Sequence, residues 1–173
     1  MMNKTTPVYR ILGIDPGTAT TGFGIIDATQ SRVIDTVDYG VITTDPNLPD
    51  SHRLRIIDTS LKELIQKYQP TIMSVEKLFF FRNTTTIITV AQARGVVLLN
   101  AELHNLSLFE FTPLQIKQAI TGYGKAPKAQ MQAMVTQMLG LQSIPKPDDA
   151  ADGLAVALCC QSSLAYLLQT KES

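Results

Sequence analysis

The sequence predicts an α/β fold, a mixed five-stranded sheet flanked by helices, and three observations predict it. Apolar, β-branched runs fill the first 45 residues, helical and strand patterns then alternate, and the last third reads as helix. The first strand is YRILGID (9–15), broken by PGTATTG (16–22). FGIID (23–27) and RVIDTVDYGVITT (32–44) follow, and the Gly-containing turn between the first two runs makes the three an antiparallel meander. Leu54, Ile57, Leu61, Leu64, Ile65 and Tyr68 recur at spacings of three and four, which predicts a helix over 51–68 that Pro70 stops.

TIMSVEKLF (71–79) is a short buried strand, and a second helix runs from near Thr85 to His104, with any of three threonines available as its cap. Its apolar residues, among them Ile87, Ile88, Val90, Val96, Val97, Leu98, Leu99 and Leu103, surround nearly the whole cylinder. A helix packed only on a sheet needs one stripe, so a second face is expected to meet a second subunit. LSLFEFT (106–112) is the fifth strand. Thr112-Pro113 then caps a short helix to Ile120. TGYGKAPKA (121–129) is a basic, Gly-containing loop, a helix follows to Leu139 with Gly140 beyond it, and the last helix covers 148–168.

No repeat or linker divides the 173 residues, so they are expected to form one domain, 1–173, with its core over 9–168. Fifteen basic residues balance fifteen acidic ones, which excludes a basic tail or a bulk electrostatic hold on a phosphate polymer. Cys159 and Cys160 are adjacent on a helix and diverge by about 100°, a usage that fits a reducing compartment. The N-terminus has no secretory pattern and no apolar run approaches the ~20 residues of a bilayer span. The expected location is the cytoplasm, with no membrane partner.

The acids fall at the ends of apolar elements. Asp15 ends the first strand, Glu76 lies near the end of the fourth, and Asp148, Asp149 and Asp152 open the last helix. Each has an ordinary structural explanation, in turn chemistry or the helix dipole. Together they form a set of carboxylates that repel unless a cation sits between them, and all-oxygen ligands suit Mg²⁺ or Mn²⁺. Asp149 with Asp152 (i, i+3) and Asp148 with Asp152 (i, i+4) are equally possible pairs. His52 and His104 have no neighbour at metal-ligand spacing.

In order along the chain, GIDPGTATTGFGIID (13–27), VEKLFFFRN (75–83), AQARG (91–95), TGYGKAPKAQ (121–130) and DAADGLAVA (149–157) resemble the RuvC family of Holliday-junction resolvases. The resemblance implies an RNase H-like fold, a homodimer, and Mg²⁺-dependent endonuclease action on four-way junction DNA in recombination and repair. It implies Asp15, Glu76, Asp149 and Asp152 as catalytic metal ligands, for two Mg²⁺ with Mn²⁺ able to substitute. Asp148 is then an extra acid. Phe79 matches the family's junction-stacking aromatic, with Phe80 and Phe81 beside it; Arg82, Lys117, Lys125 and Lys128 are the expected DNA-binding cations. A branch-migration helicase of the RuvAB kind is an implied partner. One departure is Gly153, where the family usually has Ala, at a helix-propensity cost of about 1 kcal/mol.

Two other enzyme readings share features. D-P-G-T (15–18) is similar to the phosphate loop of actin-like ATPases, but these need a second phosphate loop for which the chain has no room, so no nucleotide is expected. A nuclease acting on RNA–DNA hybrids would use the same acids. A scaffold with a dead site would be expected to have lost one of them. Split by position, residues 77–128 carry six basic and two acidic residues, so the neutral chain has a basic middle.

Overall fold

The computed structural model describes residues 6–78 and 87–171. Its elements are β1 (Tyr9–Asp15), β2 (Thr20–Ala28), β3 (Val33–Thr43), α1 (Asp50–Tyr68), β4 (Ile72–Glu76), α2 (Ile87–Leu103), β5 (Ser107–Phe111), α3 (Pro113–Thr121), α4 (Lys128–Met138) and α5 (Asp148–Lys171). The strands form one sheet in the order β3-β2-β1-β4-β5. β1, β2 and β3 pair antiparallel as expected, while β4 joins β1, and β5 joins β4, in parallel. This is the mixed, RNase H-like sheet that the sequence predicts.

Alternation along the strands separates two cores. Leu12, Ile14, Ile25, Met73 and Val75 face α1 and α2; Ile11, Ile26, Ile72, Phe109 and Phe111 face α3, α4 and α5. The predicted elements are recovered, with shifts at their ends. β2 begins three residues early, because Thr20 and Thr21 pair with Thr43 and Ile42 of β3. β4 ends at Glu76, short of the predicted 79; one further backbone bond, Lys77 N–H to Phe111 O at 2.7 Å, prolongs its pairing with β5. The predicted threonine cap of α2 lies outside the described residues.

α5 departs from expectation in two ways. Over Asp148–Gln169 it is long and apolar enough to cross a bilayer, with a mean hydropathy of 1.4 in its most apolar 18 residues, although the sequence shows no uninterrupted apolar run of that length. It passes because its small residues and cysteines are apolar, and 61% of those 18 residues are buried inside the fold. It is the central helix of the fold. The second departure is Gly153, read from sequence as a propensity cost. A Cβ there would lie 2.5–2.6 Å from the Phe23 backbone, so the missing side chain is what lets α5 reach β2. Facing it, Gly13 pairs with Gly24 and Asp15 with Gly22, and these three glycines line the bed in which the helix lies.

Candidate active site

Strand parity brings the first two acids together. In β1, Ile11 and Gly13 face α5, so Asp15 opens on the same side. In β4, Ile72 faces that side and Ser74 Oγ donates to Val156 O of α5 at 3.1 Å, so Glu76 follows them. The parallel pairing of Ile14 with Val75 sets Asp15 beside Glu76 at the carboxyl ends of neighbouring strands, where the two carboxyl groups share a hydrogen bond.

α5 supplies the remaining acids from its first turns. A Cβ at Gly22 would lie 1.9 Å from Asp149 O, so the helix start is seated directly over the strand that carries the partner of Asp15. One carboxylate oxygen each from Asp15, Asp149 and Asp152 falls within 4.8 Å of the other two. Spacing left Asp148 and Asp149 as alternatives; the geometry turns Asp149 toward Asp15. Asp148 turns instead to two cations, 3.7 Å from Lys128 Nζ and 3.5 Å from Lys146 Nζ.

Asp15, Glu76, Asp152, Lys117 and Lys128 line one cavity of about 300 Å³, walled by Pro113, Ile116, Met131 and Ala155. Lys128 Nζ lies 3.2 Å from Asp152 Oδ2. Burial, then repulsion from Asp152 and Asp149, pushes Asp15 up to about 6. Burial and then Asp15 push Glu76 up to about 8. Burial also raises Asp152, with Lys128 opposing it. Burial alone would lower the Lys128 pKa, but attraction to Asp152, Asp148 and Asp149 outweighs it and the net shift is upward. Converging carboxylates that resist ionisation, with oxygen as the sole donor, fit a hard divalent cation.

Of the predicted DNA-binding residues, Lys117 and Lys128 stand at this cavity and Lys125 is exposed on the loop between α3 and α4. That loop is held in shape: Tyr123 N–H donates to Thr121 Oγ1 and Ala126 N–H to Tyr123 O, each at 3.1 Å, with Gly122 at φ 70°. Phe79, Phe80, Phe81 and Arg82 lie outside the described residues. Sequence reading missed the apolar wall, because Ile116 and Met131 look like ordinary helix core. It also missed the Lys128–Asp152 pair, which joins helices whose approach no local pattern encodes.

Residues 11–160 match the family model described as Crossover junction endodeoxyribonuclease RuvC. The chain belongs to the RuvC family. Among curated members, the crossover junction endodeoxyribonuclease RuvC of Caldicellulosiruptor saccharolyticus is 51% identical over 164 residues, covering 94% of this chain and 99% of its own. That of Rubrobacter xylanophilus is 54% identical over 149 residues, covering 86% and 83%. The structure of Thermus thermophilus RuvC in complex with a Holliday junction substrate superposes with a TM-score of 0.81 at 28% identity, over 92% of this chain and 96% of that one. The yeast mitochondrial Holliday junction resolvase Ydc2 shares the fold, with a TM-score of 0.68 at 16% identity, over 98% of this chain and 87% of that one.

Proposed function

We propose that this RuvC-family protein is a structure-specific endodeoxyribonuclease that resolves four-way junctions in recombination and repair by paired, symmetric nicks, leaving 5′-phosphate and 3′-hydroxyl ends. The observation that carries the reading is the convergence of Asp15, Asp149 and Asp152 beside Glu76, in a cavity edged by Lys117 and Lys128. The four acids would hold two divalent ions, Mg²⁺ with Mn²⁺ as a substitute. Such ions supply Lewis-acid stabilisation of the leaving oxygen and a water acidic enough to attack phosphorus.

The chain's own residues do the rest. Asp15, on the central strand, is placed to be shared between ligand sets, with Glu76 on one side and Asp149 and Asp152 on the other. Lys117 and Lys128 bring positive charge to the cavity, where a scissile phosphate would otherwise meet only acids. Lys125 extends the DNA contact along the loop between α3 and α4, and Phe79 and Arg82 are assigned to DNA by resemblance alone. The apolar wall of Pro113, Ile116 and Met131 limits water access on one side of the phosphate.

A homodimer accounts for paired cuts, since a two-fold protein presents two sites to a junction of near two-fold symmetry. The exposed face of α2 supports it: Ile88, Leu99 and Leu103 are 66%, 54% and 59% exposed, and Gly95 between them has open space beside it. The two cysteines are free and buried, in keeping with the cytoplasm. A branch-migration helicase of the RuvAB kind would deliver the junction. The test is incubation with Mg²⁺ of four-way junctions, linear duplexes and RNA–DNA hybrids. Symmetric nicks confined to the junction are expected; preferential cutting of the hybrid or the linear duplex would overturn the assignment.

A further inference from the structure

Lys146, Asp148, Lys128 and Asp152 form a chain of alternating charge that runs from solvent into the cavity. Its links are 3.5 Å (Lys146 to Asp148), 3.7 Å (Asp148 to Lys128) and 3.2 Å (Lys128 to Asp152). The line starts at its most exposed side chain, Lys146 at 75%, and ends at its least exposed, Asp152 at 29%, with Asp148 and Lys128 about half exposed between them. Asp148 and Asp152 are one turn apart on α5, so both carboxylates face the ammonium presented by the start of α4. One of the two belongs to the converging acid group and the other does not.

An ammonium and a divalent cation on Asp152 are alternatives, because each is the counter-charge that the other would replace and the two repel. Loading the site therefore displaces Lys128. Among the described residues its other ion-pair partner is Asp148, close enough to take it by a small rotation on a flexible stem. We propose that Asp148 is a positioning residue that receives Lys128 when a divalent cation takes Asp152, holding the ammonium at the rim where a scissile phosphate would lie. Lys146 holds Asp148 in turn. This rests on the proposed function, in which Asp152 is a metal ligand and the cavity takes a scissile phosphate.

The test measures Mn²⁺ binding to the full-length protein without DNA, by the electron paramagnetic resonance of the free ion, in a double-mutant cycle of Asp148→Asn and Lys128→Met. With Lys128 present, D148N should weaken Mn²⁺ by roughly tenfold, within the range for directly interacting residues, and in the K128M background by at most about twofold. K128M alone should bind Mn²⁺ more tightly than wild type, and D148E should restore affinity. Equal losses in both backgrounds would mean that Asp148 acts only as a distant charge or as a ligand, and an unchanged affinity in D148N would mean that it does not act at all; either result overturns the proposal. Asp148→Ser, a second uncharged replacement, repeats the measurement should the amide disturb folding. D15N separates the two levels: retention of Mn²⁺ by D15N means that the metal site itself is misassigned, whereas its loss alongside a flat cycle refutes only the role of Asp148.

Discussion

Asp15 is flanked by acids, with Glu76 sharing its hydrogen bond and Asp149 and Asp152 within reach of one cation. Replacing it with Asn keeps the shape and removes the charge. D15N should abolish cleavage while leaving junction affinity within about twofold, as read by gel shift in the absence of Mg²⁺; near wild-type cutting would refute its role. The same residues set a pH dependence. Asp15 and Glu76 titrate at about 6 and about 8 in the folded chain, above their values of 3.8 and 4.5 when unperturbed. The folded state thus holds more protons in that interval, and stability falls as pH rises through it. The stability these groups contribute is complete below about pH 4 and lost above about pH 8. Thermal melts of metal-free protein should drop by several degrees between pH 5 and pH 8, Mg²⁺ should reverse the drop at pH 8, and the D15N/E76Q double variant should flatten it. At this scale the sequence was readable in that Asp15 and Glu76 close apolar strand runs; that they share a side follows from parity only once Gly13 and Ser74 are both seen to meet α5. Spacing could not choose between Asp148 and Asp149, since either can pair with Asp152 along the helix; the family resemblance chose Asp149, and the seating of α5 on Gly22 is the physical reason.

The elements that carry these residues depend on how closely α5 lies on the sheet. A helix approaches a strand this closely only where side chains are missing, and Gly13 meets Gly153 and Ala157, Gly22 meets Asp149 and Gly24 meets Leu154 for that reason. Gly153→Ala would gain about 1 kcal/mol of helix propensity. It would also drive a methyl group into the Phe23 backbone, and overpacking of this kind costs about 1–3 kcal/mol. The net expectation is a lowered melting temperature together with weakened Mn²⁺ binding, because lifting α5 moves Asp149 and Asp152 away from Asp15; a more stable G153A with unchanged metal affinity would show that the contact is slack. α2 is the opposite case, an element with more apolar surface than this chain covers. Its breadth was legible as an all-round apolar helix, but which face remained open was not, since that depends on Ala93, Val97 and Ala101 docking inward. Leu99→Glu should shift the protein to a monomer in analytical ultracentrifugation and uncouple the paired nicks.

On the scale of the whole molecule, zero net charge and a DNA substrate are reconciled by where the charges are spent. Of the six cations in residues 77–128, Arg94 is paired with Glu110 and Lys128 with Asp152 and Asp148. Lys77, Lys117 and Lys125 make no ion pair among the described residues, and Lys128 would join them once a divalent ion takes Asp152. Each phosphate contact contributes about 0.9 to the slope of log K against log salt, so these four cations give about 4 for one protomer and about 7 for two, to which Arg82, assigned to DNA by resemblance, would add about 1 per protomer. Lysine-to-alanine changes at Lys117 and Lys125 should each lower the slope by about 1 per engaged protomer. Arg94→Ala should leave it unchanged while destabilising the fold, because its charge already belongs to Glu110. Linear duplex, which offers phosphates without the crossover, should show much the same slope and far weaker binding, so discrimination must come from junction shape. A slope of 10 or more for wild type, or a fall in slope with R94A, would mean that the protein grips DNA through charges that the folded chain keeps for itself.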